Sequence, residues 1–245
     1  MSLGYLEHST ASIAAGAHSA ETPVNKFGRN TAVASGGKEE IWDGSAAYVF
    51  PATALMTSIS QTADQAALNG ETIEVQGLDT NWAAVTQTAV LGTPSTTVVT
   101  LTTPLIRCFR MKVLADTVSD SPIRCHNAGE TQDYAIISIG ANQTQMAIYT
   151  VPADKVAYVT NYYAAVNPAT NLDPTSNPIT LWARDNANGY APQLKHVLGL
   201  TSGHFQHFFD PYYRFTEKTD IYMTAEPVGK AADISAGFDL ILTND

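Results

Sequence analysis

Apolar and polar side chains alternate in short runs along most of this sequence, and the alternation predicts strands. In Ile73-Glu74-Val75-Gln76 the apolar residues fall on one side of a pleat and the polar ones on the other. Arg107-Cys108-Phe109-Arg110-Met111-Lys112-Val113 reads the same way, with three cations on the solvent side of an apolar row. Strands are predicted over Ala54–Ser60, Thr72–Gly77, Ala83–Leu91, Thr96–Leu101, Ile106–Leu114, Tyr134–Ile139, Gln145–Thr150, Val156–Ala165, Ile179–Arg184, Gln206–Phe209, Asp220–Ala225 and Gly237–Leu242. Turn signals separate them: Asn69-Gly70, Gly92-Thr93-Pro94, Asn127-Ala128-Gly129, Val151-Pro152-Ala153-Asp154, Asn186-Ala187-Asn188-Gly189 and Asp210-Pro211. Short strands punctuated every 8–12 residues or so form β-sandwiches and jelly rolls. The one helix candidate is short, Thr62–Leu68. Ile73, Val75, Val113, Ile148, Val156, Tyr158, Phe238 and Leu240 are expected to be buried.

The chain divides by texture into an extended N-terminal arm and linker (1–38), an N-terminal sandwich lobe (39–130) and a C-terminal sandwich or jelly-roll lobe (131–245). Ser9–Thr22 is Ala-, Ser- and Thr-rich without a consistent period, which reads as a mobile arm, although its Ala content also allows a short helix. Residues 1–24 are expected to be dispensable for folding and needed for attachment to the particle or to a neighbouring subunit. Asn167–Pro178 holds three prolines and reads as a long surface loop.

Composition narrows the class. Charged residues make up 15% of the chain, well below the usual share of about 25%, so the surface is mostly neutral-polar. The net charge of −10 opposes phosphate binding, and no Lys/Arg-rich run offers a handle to anionic lipid; neither nucleic acid nor membrane is an expected partner. The N-terminal residues lack the basic and apolar regions of a signal peptide, so folding in a cytoplasm is expected. Cys108 and Cys125 could bridge, but the reading adopted is two free, buried thiols.

Candidate chemistry is sparse. His204 and His207 lie three apart, which on a strand sends them to opposite faces and away from a shared metal. Asp43, Asp79, Asp116 and Asp120 sit where turns need them, so they read as turn formers rather than as acid/base or calcium pairs. Aromatic residues gather late, from Tyr162-Tyr163 to Tyr222, as core, subunit contact or a glycan face. Phe27, Arg29, Tyr212 and Tyr213 are the residues expected at a subunit or particle contact. No catalytic, cofactor or metal residues are assigned.

Several stretches together resemble one family: Val24-Asn25-Lys26-Phe27-Gly28-Arg29-Asn30, Ile41-Trp42-Asp43-Gly44, Val75-Gln76-Gly77-Leu78-Asp79, Gln145–Pro152, Glu217–Ile221 and Ala236–Leu242. Spread over residues 24–245, they are similar to virion structural proteins of tailed phages, particularly marine and cyanobacterial ones. The resemblance implies a component of the virion and little about its role; the reading adopted is a non-enzymatic head decoration protein touching the major capsid protein or other virion proteins. It leaves open a neck, tail or fibre component, with host binding, and an enzyme such as a glycan depolymerase. Low surface charge and the late aromatics lead to the expectation of a homo-oligomer, with a trimer favoured over a dimer.

Overall fold

The computed structural model describes residues 10–44, 47–167 and 176–244. Strands account for 57% of the chain and helix for 4%, so the all-β expectation holds. The sheets pack as two sandwiches, each around its own apolar core.

The C-terminal lobe has one sheet in the order β1 (Glu21–Val33), β16 (Ala232–Asn244), β11 (Lys155–Asn167), β14 (Gly203–Phe215). Facing it lies the order β10 (Ile148–Thr150), β15 (Thr219–Ala225), β12 (Asn177–Asp185), β13 (Gln193–Leu200), with β2 (Glu39–Glu40) added on β15. The N-terminal lobe pairs β6 (Val99–Leu105), β3 (Met56–Gln61), β8 (Ile123–His126), β9 (Asp133–Ile137) against β5 (Ala84–Val90), β4 (Thr72–Leu78), β7 (Arg107–Val113). Every ladder is antiparallel, and the alternation in the sequence is the inside/outside alternation of these faces.

Three expectations are corrected. First, Glu21–Val33 is not arm but strand: β1 pairs with nearly the whole of β16, from Glu21 against Thr243 to Val33 against Ala232. Ahead of it, a one-turn helix, α1 (Thr10–Ala14), rests against β1 and buries Ile13. Second, the lobes divide differently. β9 belongs to the N-terminal lobe and β1 and β2 to the C-terminal one, so the N-terminal lobe is an insertion between β2 and β10. Third, Arg107 does not face solvent. A register shift between Gln76 and Gly77 sets it on the same sheet face as Arg110 and Lys112, but at Arg107 that face is covered by β15 of the other lobe, and the side chain is buried in the junction.

Of the eight expected core residues, Ile73, Val75, Ile148, Val156, Phe238 and Leu240 are buried, whereas Val113 and Tyr158 are half-buried. Cys108 and Cys125 are buried and unbridged. The helix candidate at Thr62–Leu68 is a single 3₁₀ turn over Ala66–Leu68. Residues 1–9 of the expected arm and 168–175 of the expected loop lie outside the described residues.

The lobes share β15 as a wall. Its seven residues are all buried: Ile221, Met223 and Ala225 belong to the C-terminal core, while Tyr222 belongs to the core of the inserted lobe. Asp220, on the same strand, meets Arg107. β1 presses on the junction at Gly28, where a Cβ would stand 2.3 Å from the Ile41 carbonyl oxygen and 2.4 Å from the Ala147 nitrogen. Only glycine fits that approach.

Candidate functional site

Register along β1, β16, β11 and β14 fixes which side chains share the sheet face turned away from the core. Tyr162, Ala164 and Phe238 point inward, so their chain neighbours point out. One outward row across the four strands reads Asn25, Asp239, Asn161, Phe208. The next reads Phe27, Gly237, Tyr163, Gln206, and a third reads Arg29, Ser235, Ala165, His204.

Each row is organised by its own side chains. The amide nitrogens of Asn25 and Asn161 both donate to the Asp239 carboxylate, the second at 3.0 Å. Asn161 is 8% exposed, and its Oδ1 is buried without a hydrogen-bond partner. In the second row a Cβ at Gly237 would sit 2.4 Å from the Tyr163 hydroxyl oxygen and 2.6 Å from the ring carbon bearing it, so the phenol lies across the strand at the glycine. In the third, Arg29 grips Asp233 through two hydrogen bonds of 3.0 and 2.6 Å.

β14 breaks register beside these rows. Val159 pairs with Tyr213 and Asn161 with Phe208, so Phe209–Tyr212 all stand opposite Thr160. Pro211 has no N–H to offer a ladder, and a bulge on an edge strand is where proline is tolerated. Phe209 turns into the core, while Phe208 remains 66% exposed and Tyr212 also stands out.

The first of these rows, with Phe27 and the β14 bulge, forms one wall of a half-open cleft of about 1590 Å³. The opposite wall comes from the inserted lobe, through Gln76 on β4, Val85 on β5 and Phe109 and Arg110 on β7, with α1 contributing at one end. β1 is fastened to β7 along the cleft: Lys26 Nζ donates to the Phe109 carbonyl and lies 5.8 Å over its ring, and Arg110 donates to the Asn25 carbonyl at 2.9 Å. Burial, reinforced by the nearby Arg110, lowers the Lys26 pKa to about 7.

Behind the cleft, a buried network joins the lobes. Arg107 Nε and Nη2 donate to the two oxygens of Asp220 at 2.8 and 2.9 Å, and Nη1 donates to the carbonyls of Pro51 and Ile106. Thr150 (2.6 Å) and Asn186 (2.8 Å) donate to the same carboxylate, while the rings of Phe50 and Trp82 lie 5.4 and 5.0 Å from the guanidinium.

The residues expected at a contact separate into two groups. Phe27 and Arg29 stand on the outward face along β1, and Tyr212 stands at the bulge across the sheet; Phe27 and Tyr212 line the cleft, and Arg29 does not. Tyr213 instead turns inward beside Phe209, with ring centroids 4.6 Å apart, and donates to the Lys195 carbonyl. Asn25, Asp239 and Asn161 were not singled out in the sequence because polar residues separated by most of the chain carry no local signal. His204 points outward and His207 inward, the divergence expected on a strand. His207 stacks on His196 at 4.5 Å, and His196 Nδ1 lies 2.5 Å from the Tyr162 hydroxyl oxygen. Asp79 is a turn former, accepting the backbone N–H groups of Asn81 and Ala83. Among the described residues, no group of three or more His, Cys, Asp or Glu side chains gathers where it could hold a metal ion.

The chain was compared with family models, curated proteins and solved structures, and none of them matches it.

Proposed function

We propose that this chain is a non-enzymatic structural subunit of a tailed-phage particle, a decoration protein on the outside of the head that contacts the major capsid protein and forms a closed homotrimer. The observation that supports this reading is the open side of the C-terminal sandwich. β13 and β14 are end strands of its two sheets and follow each other in the chain, so two sheet edges lie together. Leu194 and Val197 on β13 are 53% and 47% exposed, and Phe205 on β14 is also exposed. Apolar area left in water forgoes about 25 cal/mol per Å², which a neighbouring subunit would recover. The acidic surface suits a position facing away from packaged nucleic acid.

An averaged particle map tests the proposal. Density for the chain at every equivalent position of the head lattice is the expected result, and a stable monomer at micromolar concentration by sedimentation would count against the trimer. A neck, tail or fibre position is the second reading, favoured by the aromatic cleft. It predicts a small copy number confined to one vertex or to the tail.

A further inference from the structure

We propose that the cleft between the outward face of the C-terminal lobe and the inserted lobe is an oligosaccharide-binding site. Phe208 and Tyr212 would act as stacking surfaces, and the row Asn25, Asp239, Asn161 would supply the polar contacts. The assignment stands apart from the particle location proposed above, because it is read on the isolated chain.

The occupant is argued from what the walls offer. A polypeptide strand would need an unpaired sheet edge inside the cleft. On β1, the Asn25 carbonyl is taken by Arg110, and across from it the Phe109 carbonyl is taken by Lys26. Two backbone carbonyls that a strand added along the cleft would meet are thereby occupied. A second copy laid on the same surface by a two-fold axis would set concave against concave, leaving the cleft unfilled. Nucleic acid would bring phosphates toward Asp210 and Asp239 on a chain of net charge −10.

Side chains remain, and their chemistry suits sugars. A pyranose ring has a C–H face that stacks on an aromatic ring, and a rim of hydroxyls that pair with planar amides and carboxylates. Asn25, Asp239, Asn161 and Phe208 stand on four successive strands, so the row runs roughly 14 Å at the usual strand spacing, the scale of an oligosaccharide rather than one sugar. Two of the features are built in advance. The Asp239 carboxylate is held by two amides, and the Asn161 Oδ1 is an acceptor without a partner in the cleft wall. Phe208 gains nothing from the fold at its present exposure; a stacked sugar would cover it.

The test uses the full chain on an array of bacterial lipopolysaccharide O-chains and capsular polysaccharides, followed by fluorescence titration with fragments of the best-retained polymer. Retention on at least one polymer is expected. Phe208→Ala and Asn25→Ala should each weaken it tenfold or more with the melting temperature unchanged for Phe208→Ala, whereas Ile139→Ala, an exposed apolar truncation on the other lobe, should leave it intact. Absence of retention on every polymer would overturn the proposal, as would binding indifferent to Phe208→Ala. Dissociation of the oligomer by Phe208→Ala would overturn it as well, because the ring would then face a neighbouring copy.

Discussion

Asp220→Ala is the perturbation that tests the lobe junction. The carboxylate accepts both arms of the Arg107 fork and the donors of Thr150 and Asn186, and the side chains of the ion pair are 3% and 0% exposed. Truncation leaves a buried guanidinium with two carbonyls and two aromatic rings but no counter-charge. Removing one partner of such a pair costs about 3–5 kcal/mol, because the survivor stays desolvated and unpaired. For a chain of this length each kcal/mol moves the midpoint by about 2–4 °C, so a fall of roughly 6–20 °C is expected in thermal denaturation. Tryptophan emission is a suitable probe, because Trp82 lies against the guanidinium. The double variant Arg107→Met with Asp220→Leu should recover most of the loss, since apolar replacements of a buried pair are often neutral or stabilising. A loss below about 1 kcal/mol for the single variant, the range of exposed pairs, would refute the account of the junction as a dry, fully bonded ion pair.

Four further outcomes follow from the same structure. Burial lowers Lys26 to about 7 from 10.5. Between those pH values the unfolded chain therefore binds more protons than the folded one, and stability should rise with pH across that window. Urea midpoints measured from pH 7 to 10 should show a rise that Lys26→Met removes. Gly28→Ala drives a methyl into the backbone of Ile41 and Ala147 and should cost about 3 kcal/mol or more, whereas Gly199→Ala, with open space around it, should stay within about 0.5 kcal/mol by calorimetry. Deleting residues 1–24 removes Ile13 from its contacts and four residues of β1 from their ladder, so the melting temperature should fall, against the sequence-based expectation of no change. Both thiols should ignore an aromatic disulfide reagent in the native protein and react in denaturant; hydrogen bonding to Cys108, together with burial, pushes the Cys125 thiol well above its ordinary value.

The elements missed by sequence reasoning are missed for distinct physical reasons. β1 turns Val24, Lys26, Gly28 and Asn30 toward the protein, and the last three are buried without being large apolar residues. Its period of two is therefore invisible to a hydrophobicity reading, although the segment is more completely paired than most. β8 is too short, at Ile123-Arg124-Cys125-His126, to establish a period. The alternation of β7 predicts the strand correctly, and the register shift at Gly77 sets Arg107 on the face of Arg110 and Lys112; no local pattern encodes that β15, from far along the chain, covers that face at Arg107. The outward face was half legible. Phe27, Arg29 and Tyr212 could be picked out as residues with no obvious core role, but their places relative to one another depend on β1 and β14 lying at opposite sides of one sheet. Ladders between distant segments set that arrangement, and no local pattern encodes them.

The insertion of one lobe within the other has a consequence for the order of events on the ribosome. β16 lies between β1 and β11, yet it is made after all the other strands of these two lobes. While it is awaited, the inserted lobe has all seven of its strands and can fold, whereas β1 has emerged first and has no partner. A nascent chain would thus carry one finished lobe beside an unpaired 13-residue strand whose only ladder partner is still to come. The glycine and the buried lysine that make β1 hard to recognise in the sequence also make it a poor nucleus for premature pairing during that interval.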